Sequence, residues 1–92
     1  MIRLFVRHQV ASFPAWKKGY DAFDATRKKL GVRGAAVFCG STNPNDVTIW
    51  HDFDTLAAAQ AFVKSPELAA AMKAAGVTNA PDMWFADREL PK

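Results

Sequence analysis

The chain has 92 residues, of which 50% are hydrophobic and 23% charged, a composition typical of one globular domain over 1–92 rather than of a disordered segment. Its 12 basic and 9 acidic residues give a formal net charge of +3. Because the basic side chains are scattered or lie beside acidic ones, no nucleic-acid-binding surface is predicted. No apolar run approaches the roughly 18 residues of a membrane span, and the N-terminus does not resemble a signal peptide, so we expect a cytoplasmic protein with no membrane partner.

The first part of the chain predicts a strand followed by a helix. Apolar and polar side chains alternate from Ile2 to Val10, as in a strand. Ser12 can cap the following helix, which carries an apolar stripe at helical spacing and ends at Gly31. Gly19 is tolerable inside this helix if a neighbour packs closely against it. Arg27 lies within the apolar stripe, where we expect it to snorkel; a bond to a buried acceptor or ligand is the alternative.

The rest of the chain predicts a hairpin, a second helix and a last strand. A strand over 33–40 and a strand over 46–53 flank a segment dense in turn-forming residues, which indicates a hairpin. The following helix is expected to break at a Ser-Pro pair and to end at Gly76. A strand over 82–86 and a polar tail over 88–92 complete the chain. The single cysteine, Cys39, lies in an apolar run, which favours a buried thiol.

The order strand, helix, strand, strand, helix, strand predicts the ferredoxin-like plait. This is an α+β fold, βαββαβ, with a four-stranded antiparallel sheet and two helices on one face. We expect the first and third strands to lie side by side and parallel in the middle of the sheet. That arrangement would place His8 close to His51, and Arg7 close to Asp52, at the end where both helices begin.

The other face of this sheet predicts a homodimer. It would present Phe5, Trp50 and Trp84, each able to bury about 150 Å² or more. An uncovered patch of that size is near the limit for a monomer, and two such sheets packed face to face would bury it symmetrically. The expected partner is therefore a second copy of the chain, bound through the open sheet face.

The two histidines, His8 and His51, are the candidate catalytic residues. Facing the same way on adjacent strands, they suggest a proton-transfer pair or an anchor for an acidic or phenolic ligand, because imidazole titrates near neutral pH. The alternative is a structural pair that donates to Asp52, Asp54 or a backbone carbonyl. A metal would need a third ligand, for which Asp54 is the only near candidate, so no metal site is predicted.

The segment Val47–Phe53, with the apolar helix and Ser-Pro break that follow it, resembles the strand-to-helix signature of the antibiotic-biosynthesis-monooxygenase-like proteins. These are small dimeric α/β barrels that include cofactor-free oxygenases, haem-degrading enzymes and lactone isomerases. The resemblance implies a pocket between sheet and helices, lined by His8, His51, Trp16, Tyr20, Phe23 and Phe62. This chain lacks the helix histidine and the first-strand asparagine that some members carry, so family-type haem ligation is not expected and no cofactor is predicted.

The sequence is compatible with two functions of different classes. The first is a cofactor-independent monooxygenase, or an isomerase or cyclase, acting on a small aromatic or cyclic compound. In it, His8 and His51 would move protons, and Trp16, Tyr20 and Phe23 would hold the ring. The second is a non-catalytic dimeric module that binds a small molecule in the same pocket.

Overall fold

The structure is a computed structural model that describes residues 1–87. Its elements are β1 (Ile2–Gln9), α1 (Phe13–Ala22), α2 (Asp24–Lys29), β2 (Gly34–Cys39), β3 (Asp46–Phe53), α3 (Leu56–Lys64), α4 (Pro66–Ala74) and β4 (Asp82–Asp87). The strands form one antiparallel sheet in the order β2-β3-β1-β4, which confirms the predicted ferredoxin-like architecture. Within the described part of the chain, no helix is long and apolar enough to cross a membrane. The tail predicted at 88–92 lies outside the described residues.

The prediction that the two central strands run parallel is wrong. β1 and β3 pair antiparallel, with His8 opposite Val47 and His51 opposite Leu4. The reason is topological: the helical crossover makes β1 and β2 parallel, and β3, the hairpin partner of β2 that lies between them, must oppose both. The two histidines still face the same side of the sheet, but they stand about four residues, or roughly 13 Å, apart along it. The helices that follow β1 and β3 therefore begin at opposite ends of the sheet.

The antiparallel register also changes the expected ion pairs. Asp52 is bound by Arg3, through two hydrogen bonds of 2.8 and 3.0 Å. Arg7, which we expected beside Asp52, instead pairs with Asp46 at 2.7 Å. The Arg3 guanidinium also stacks over the Trp50 ring, 3.6 Å from its centroid. Because Asp52 is only 4% exposed, this pair fixes the register of the two central strands at one end of the sheet.

Each of the two predicted helices consists of two segments. The break between α3 and α4 falls at the predicted Ser-Pro pair, where the Ser65 hydroxyl accepts from the Leu68 N–H at 3.2 Å and caps α4. The break between α1 and α2, at Phe23, was not predicted. Phe23 keeps helical dihedrals, and its N–H donates to the carbonyls of Gly19 and Tyr20 at 3.2 and 3.1 Å. This tight turn interrupts the helix at a residue that is neither glycine nor proline.

The sheet has one face covered by helices and one open face. The helix face holds the hydrophobic core, formed by Leu4, Val6, Val10, Trp16, Val32, Val47, Ile49, Phe53, Ala59, Phe62 and Leu68. On the open face Phe5 and Trp84 stack with ring centroids 5.3 Å apart, and Trp84 and Phe38 remain 46% and 55% exposed. The alternation predicted from the sequence therefore assigns both faces correctly.

Cys39 does not have the buried position that its apolar run favoured. The residue is exposed, because it ends β2, which is an edge strand of the sheet. An apolar run in the sequence indicates that a strand packs against other apolar residues. It does not indicate how far the helix layer extends over the end of that strand.

Two glycines occupy crowded backbone positions. At Gly19, an added Cβ would lie 3.2 Å from the Ala75 Cβ, so the residue after α4 supplies the close neighbour that makes a glycine tolerable in α1. At Gly40, an added Cβ would lie only 2.6 Å from the backbone oxygen of Asn43 in the hairpin turn. A side-chain atom can move away from such a contact, but this carbonyl is held in the turn, where it accepts from the Asp46 N–H at 3.0 Å.

We expect Gly40→Ala to lower the free energy of unfolding by about 1–3 kcal/mol, because the new methyl group would push the Asn43 carbonyl out of the turn. Gly34→Ala is the matched control, since its Cβ would meet its nearest neighbours at 3.8 Å, an ordinary contact. Urea unfolding of both variants measures the difference. Equal stability of the two would show that the turn adapts at no cost.

Candidate functional site

A cavity of about 50 Å³ lies between the helix face of the sheet and the helices. All six side chains expected to line a pocket lie at this cavity: His8, His51, Trp16, Tyr20, Phe23 and Phe62. The two strands supply the histidines, α1 and the turn after it supply three of the aromatic rings, and α3 supplies the fourth. Their roles in binding or catalysis stay predictions.

A row of rings joins the two separated histidines. Trp16 packs edge-on against His8 with centroids 5.6 Å apart, and stacks on Tyr20 at 4.9 Å. The spacing of four residues places Trp16 and Tyr20 on one face of α1. The Tyr20 ring in turn stacks on His51 at 6.0 Å, and Phe62 closes the row against His51 at 5.4 Å. The helix stripe therefore spans the distance that the antiparallel register puts between the histidines.

His51 and Tyr20 form the polar centre of the site. The Tyr20 hydroxyl and His51 Nε2 are 3.0 Å apart and share a hydrogen bond. Burial lowers the pKa of His51 to about 4, with a further lowering from the Arg27 charge and an opposing effect from Asp52. Burial also raises the pKa of Tyr20. At neutral pH the pair therefore consists of an uncharged imidazole and a protonated phenol.

His8 occupies the other end of the cavity. It is 2% exposed, and burial lowers its pKa, so it too is uncharged near neutral pH. Within 1–87, the buried Nδ1 atoms of both His8 and His51 have no hydrogen-bond partner. A buried polar atom without a partner costs about 1–3 kcal/mol. A hydrogen bond between either Nδ1 atom and a polar group of a ligand, or a water molecule, would therefore remove this cost.

Arg27 is the functional candidate that the sequence reasoning did not select. It is 5% exposed and lines the cavity, with its guanidinium stacked 3.6 Å from the centroid of the Tyr20 ring. It donates to the Tyr20 carbonyl and, at 3.3 Å, to Asp24. The expectation that Arg27 snorkels is therefore wrong, and the alternative of a buried acceptor is correct. Its position within an apolar stripe was the signal that pointed to it.

The cavity is small and has one thin wall. Ligand pockets usually measure about 300–1,000 Å³, so a ring compound would need side chains or a helix to move. A groove of about 300 Å³ lies outside the contact between α1 and α4. It shares Gly19, Phe23, Ala71 and Ala75 with the cavity lining. Because three of these four residues are small, mainly short side chains separate the cavity from the groove at the contact between α1 and α4.

The donor set of the site does not resemble a metal centre. Among residues 1–87, no group of three or more His, Cys, Asp or Glu side chains is placed to hold a metal ion. Asp54, the third ligand considered from the sequence, instead accepts from Arg33 at 3.1 Å. The site can therefore offer an apolar cavity, aromatic faces, two uncharged imidazoles, a phenol and one guanidinium.

The fold of the whole described chain is that of the antibiotic-biosynthesis-monooxygenase-like proteins, as the resemblance implied. A protein ascribed to this group from Bordetella bronchiseptica matches with a TM-score of 0.83 over 97% of both chains, at 16% identity. Another from Caulobacter crescentus matches with a TM-score of 0.77 over 97% of this chain and 90% of its own, also at 16% identity.

SnoaB, a cofactor-independent oxygenase from Streptomyces nogalater, has the same fold. It matches with a TM-score of 0.75 over 99% of this chain and 97% of its own, at 14% identity. No family sequence model and no curated protein sequence matches the chain. The TM-scores establish a shared fold. At identities this low, a shared fold does not establish a shared reaction.

Proposed function

We propose that the protein is a small enzyme that uses this cavity as a cofactor-independent monooxygenase on a small aromatic or cyclic compound. The observation that carries the proposal is the buried His51, uncharged at neutral pH, hydrogen-bonded to Tyr20 and with an unpartnered Nδ1 among the described residues. The activity of SnoaB, which shares the fold, supports the same class of reaction.

The reaction needs a base, an apolar environment and access for O₂. An activated CH₂ group of the ring compound would give a proton to an imidazole of His51 or His8. The resulting carbanion would transfer electrons to O₂ and form a C–O bond, and the peroxide anion would take the proton back from the imidazolium. The hydroperoxide would then lose its second C–H proton and break its O–O bond, releasing water and leaving C=O. The balance is one CH₂ group and one O₂ consumed, with one C=O group and one H₂O produced. Trp16, Tyr20, Phe23 and Phe62 would hold the ring.

We expect His51→Asn to reduce turnover by about 10²–10⁴-fold, the usual contribution of a general base. Oxygen uptake with a panel of hydroxylated aromatic and cyclic ketone substrates provides the assay. Circular dichroism and sedimentation establish whether the variant keeps its fold and assembly. His8→Asn tests the second imidazole, and Tyr20→Phe tests the hydrogen bond with a smaller change in shape. Unchanged turnover in His51→Asn and His8→Asn would refute the proton-transfer role.

A binding module is the second candidate, because burial makes His51 a weak base. A pKa of about 4 lowers its capacity to take a proton from carbon, and an apolar cavity lined by rings serves binding as well as chemistry. This candidate predicts saturable binding of the same compounds with no oxygen uptake. It also predicts only a partial loss of affinity in His8→Asn and His51→Asn.

The proposed enzyme is a homodimer that forms through the open sheet face, as a dimeric α/β barrel. The stacked pair of Phe5 and Trp84 and the exposed ring of Phe38 support this assembly, because burying large aromatic surface is strongly favourable. A cytoplasmic location and a single domain over 1–92 belong to the same proposal.

A further inference from the structure

We propose that the cavity binds its ring compound as an anion, a carboxylate or a phenolate, with the Arg27 guanidinium as the counter-charge. This inference rests on the proposed use of the cavity as a ligand site, and adds the charge of the ligand and the residue that selects it.

Among the described residues, Arg27 supplies the only formal charge at the cavity. None of the described residues that line it is acidic, and the other polar groups are the phenol, the two imidazoles and the Trp16 indole N–H. The Arg27 side chain is only 6% exposed. Taking a cation out of water is costly unless an opposite charge compensates it, so the cavity favours a negatively charged group over a neutral one.

The Asp24 carboxylate, which Arg27 contacts, compensates the charge of Arg27 only in part. Asp24 lies 3.3 Å from the guanidinium and its side chain is 53% exposed. Asp24 also accepts from Lys28, at 3.1 Å. Ion pairs with such an exposed partner are screened by water and are weak. An anion inside the cavity would meet the same guanidinium in a drier environment, where the attraction is stronger.

The guanidinium is held in place before any ligand arrives. Stacking on the Tyr20 ring at 3.6 Å and the hydrogen bond to the Tyr20 carbonyl fix its plane against the residue that bonds His51. A ligand anion that approaches Arg27 is therefore brought towards the Tyr20–His51 pair. Preorganised charges of this kind contribute to affinity because little side-chain entropy is lost on binding.

The test compares benzoate with benzamide, two probes of nearly equal shape that differ in charge. Affinities are measured by calorimetry. NMR shifts of the Trp16 indole and the His51 ring report binding in the cavity, and those of Trp84 report binding on the open sheet face. We expect the protein to bind benzoate at least about tenfold more tightly than benzamide, as for a partly desolvated charge pair. Equal affinity for the two probes, or no benzoate binding at the cavity, would overturn the proposal.

Three variants separate the effect of the Arg27 charge from that of the general positive charge of the protein. Arg27→Met should remove the preference for benzoate and leave benzamide affinity near its original value, whereas Arg27→Lys should retain part of the preference. Lys28→Met is the matched control: it removes an adjacent cation that is 73% exposed and contacts the same Asp24, and it should keep the preference. A preference that persists in folded Arg27→Met would overturn the assignment; if that variant does not fold, the comparison of the two probes on the original protein still decides.

The outcomes distinguish this inference from the proposed reaction. Preferential benzoate binding without oxygen uptake by any substrate would refute the monooxygenase and leave the anion site standing. Oxygen uptake with neutral substrates, together with equal binding of benzoate and benzamide, would refute the anion site and leave the reaction standing.

Discussion

Trp84→Glu is expected to dissociate the proposed homodimer, with a rise in the dimer dissociation constant of about 10³-fold. Trp84 is 46% exposed and stacks on Phe5 at 5.3 Å, so it stands at the surface that the proposed partner would cover. A twofold axis places the substitution in the interface twice. At about 2 kcal/mol or more for each lost aromatic anchor, before any cost of burying the new carboxylates, the effect reaches about three powers of ten.

The measurement is analytical ultracentrifugation over a range of protein concentrations, with thermal unfolding to confirm that the monomer is folded. Leu56→Glu is the matched control. Leu56 is 43% exposed but begins α3 on the helix side of the sheet, and an acidic residue suits the start of a helix. It should remain dimeric. A dimer that persists in Trp84→Glu would place the interface elsewhere, and a monomeric original protein would refute the argument from the open face.

The faces of the sheet could be predicted from the sequence, because strand side chains alternate whatever the neighbouring strand does. Val47, Ile49 and His51 on one side, and Trp50 and Asp52 on the other, follow from this period alone. This alternation does not determine whether β1 and β3 run parallel or antiparallel. Direction depends on the crossovers, and the error placed the two histidines together when the register puts one opposite Val47 and the other opposite Leu4.

The residues of the candidate site could be predicted from the sequence, but the contacts between them could not. The helical spacing placed Trp16, Tyr20 and Phe23 on the face towards the sheet, and the structure brings all three to the cavity. The role of Arg27 depends on the turn at Phe23, and no glycine or proline stands at that position to indicate a turn. That turn leaves the Tyr20 carbonyl within reach of the guanidinium. A local deviation of this kind results from tertiary packing, which the periodicity of one segment does not encode.

Acidification from pH 7 to pH 4 is expected to lower the free energy of unfolding by about 3 kcal/mol through His51. The folded protein holds the pKa of His51 at about 4, whereas the ordinary value is 6.5. The unfolded chain therefore takes up a proton below pH 6.5 that the folded chain resists. The stabilisation is fully present above pH 6.5 and is lost progressively as the pH falls towards 4. At about 1.4 kcal/mol for each pH unit, the fall from pH 6.5 to pH 4 lowers the free energy of unfolding by about 3 kcal/mol.

The other titrating groups do not obscure the loss of stability that His51 causes between pH 7 and pH 4. The lowered pKa of His8 acts in the same direction. Asp24 and Asp46 have pKa values held below 3.8 by their basic partners, so most of the stability that they contribute is lost only at lower pH. Urea unfolding at fixed protein concentration between pH 7 and pH 4 measures the slope. His51→Asn should flatten the curve, leaving mainly the smaller contribution of His8. If the slope is unchanged in His51→Asn, or if NMR titration gives His51 an ordinary pKa, the imidazole is not buried as described, and the arrangement of Tyr20 and Arg27 around it would have to be rejected with it.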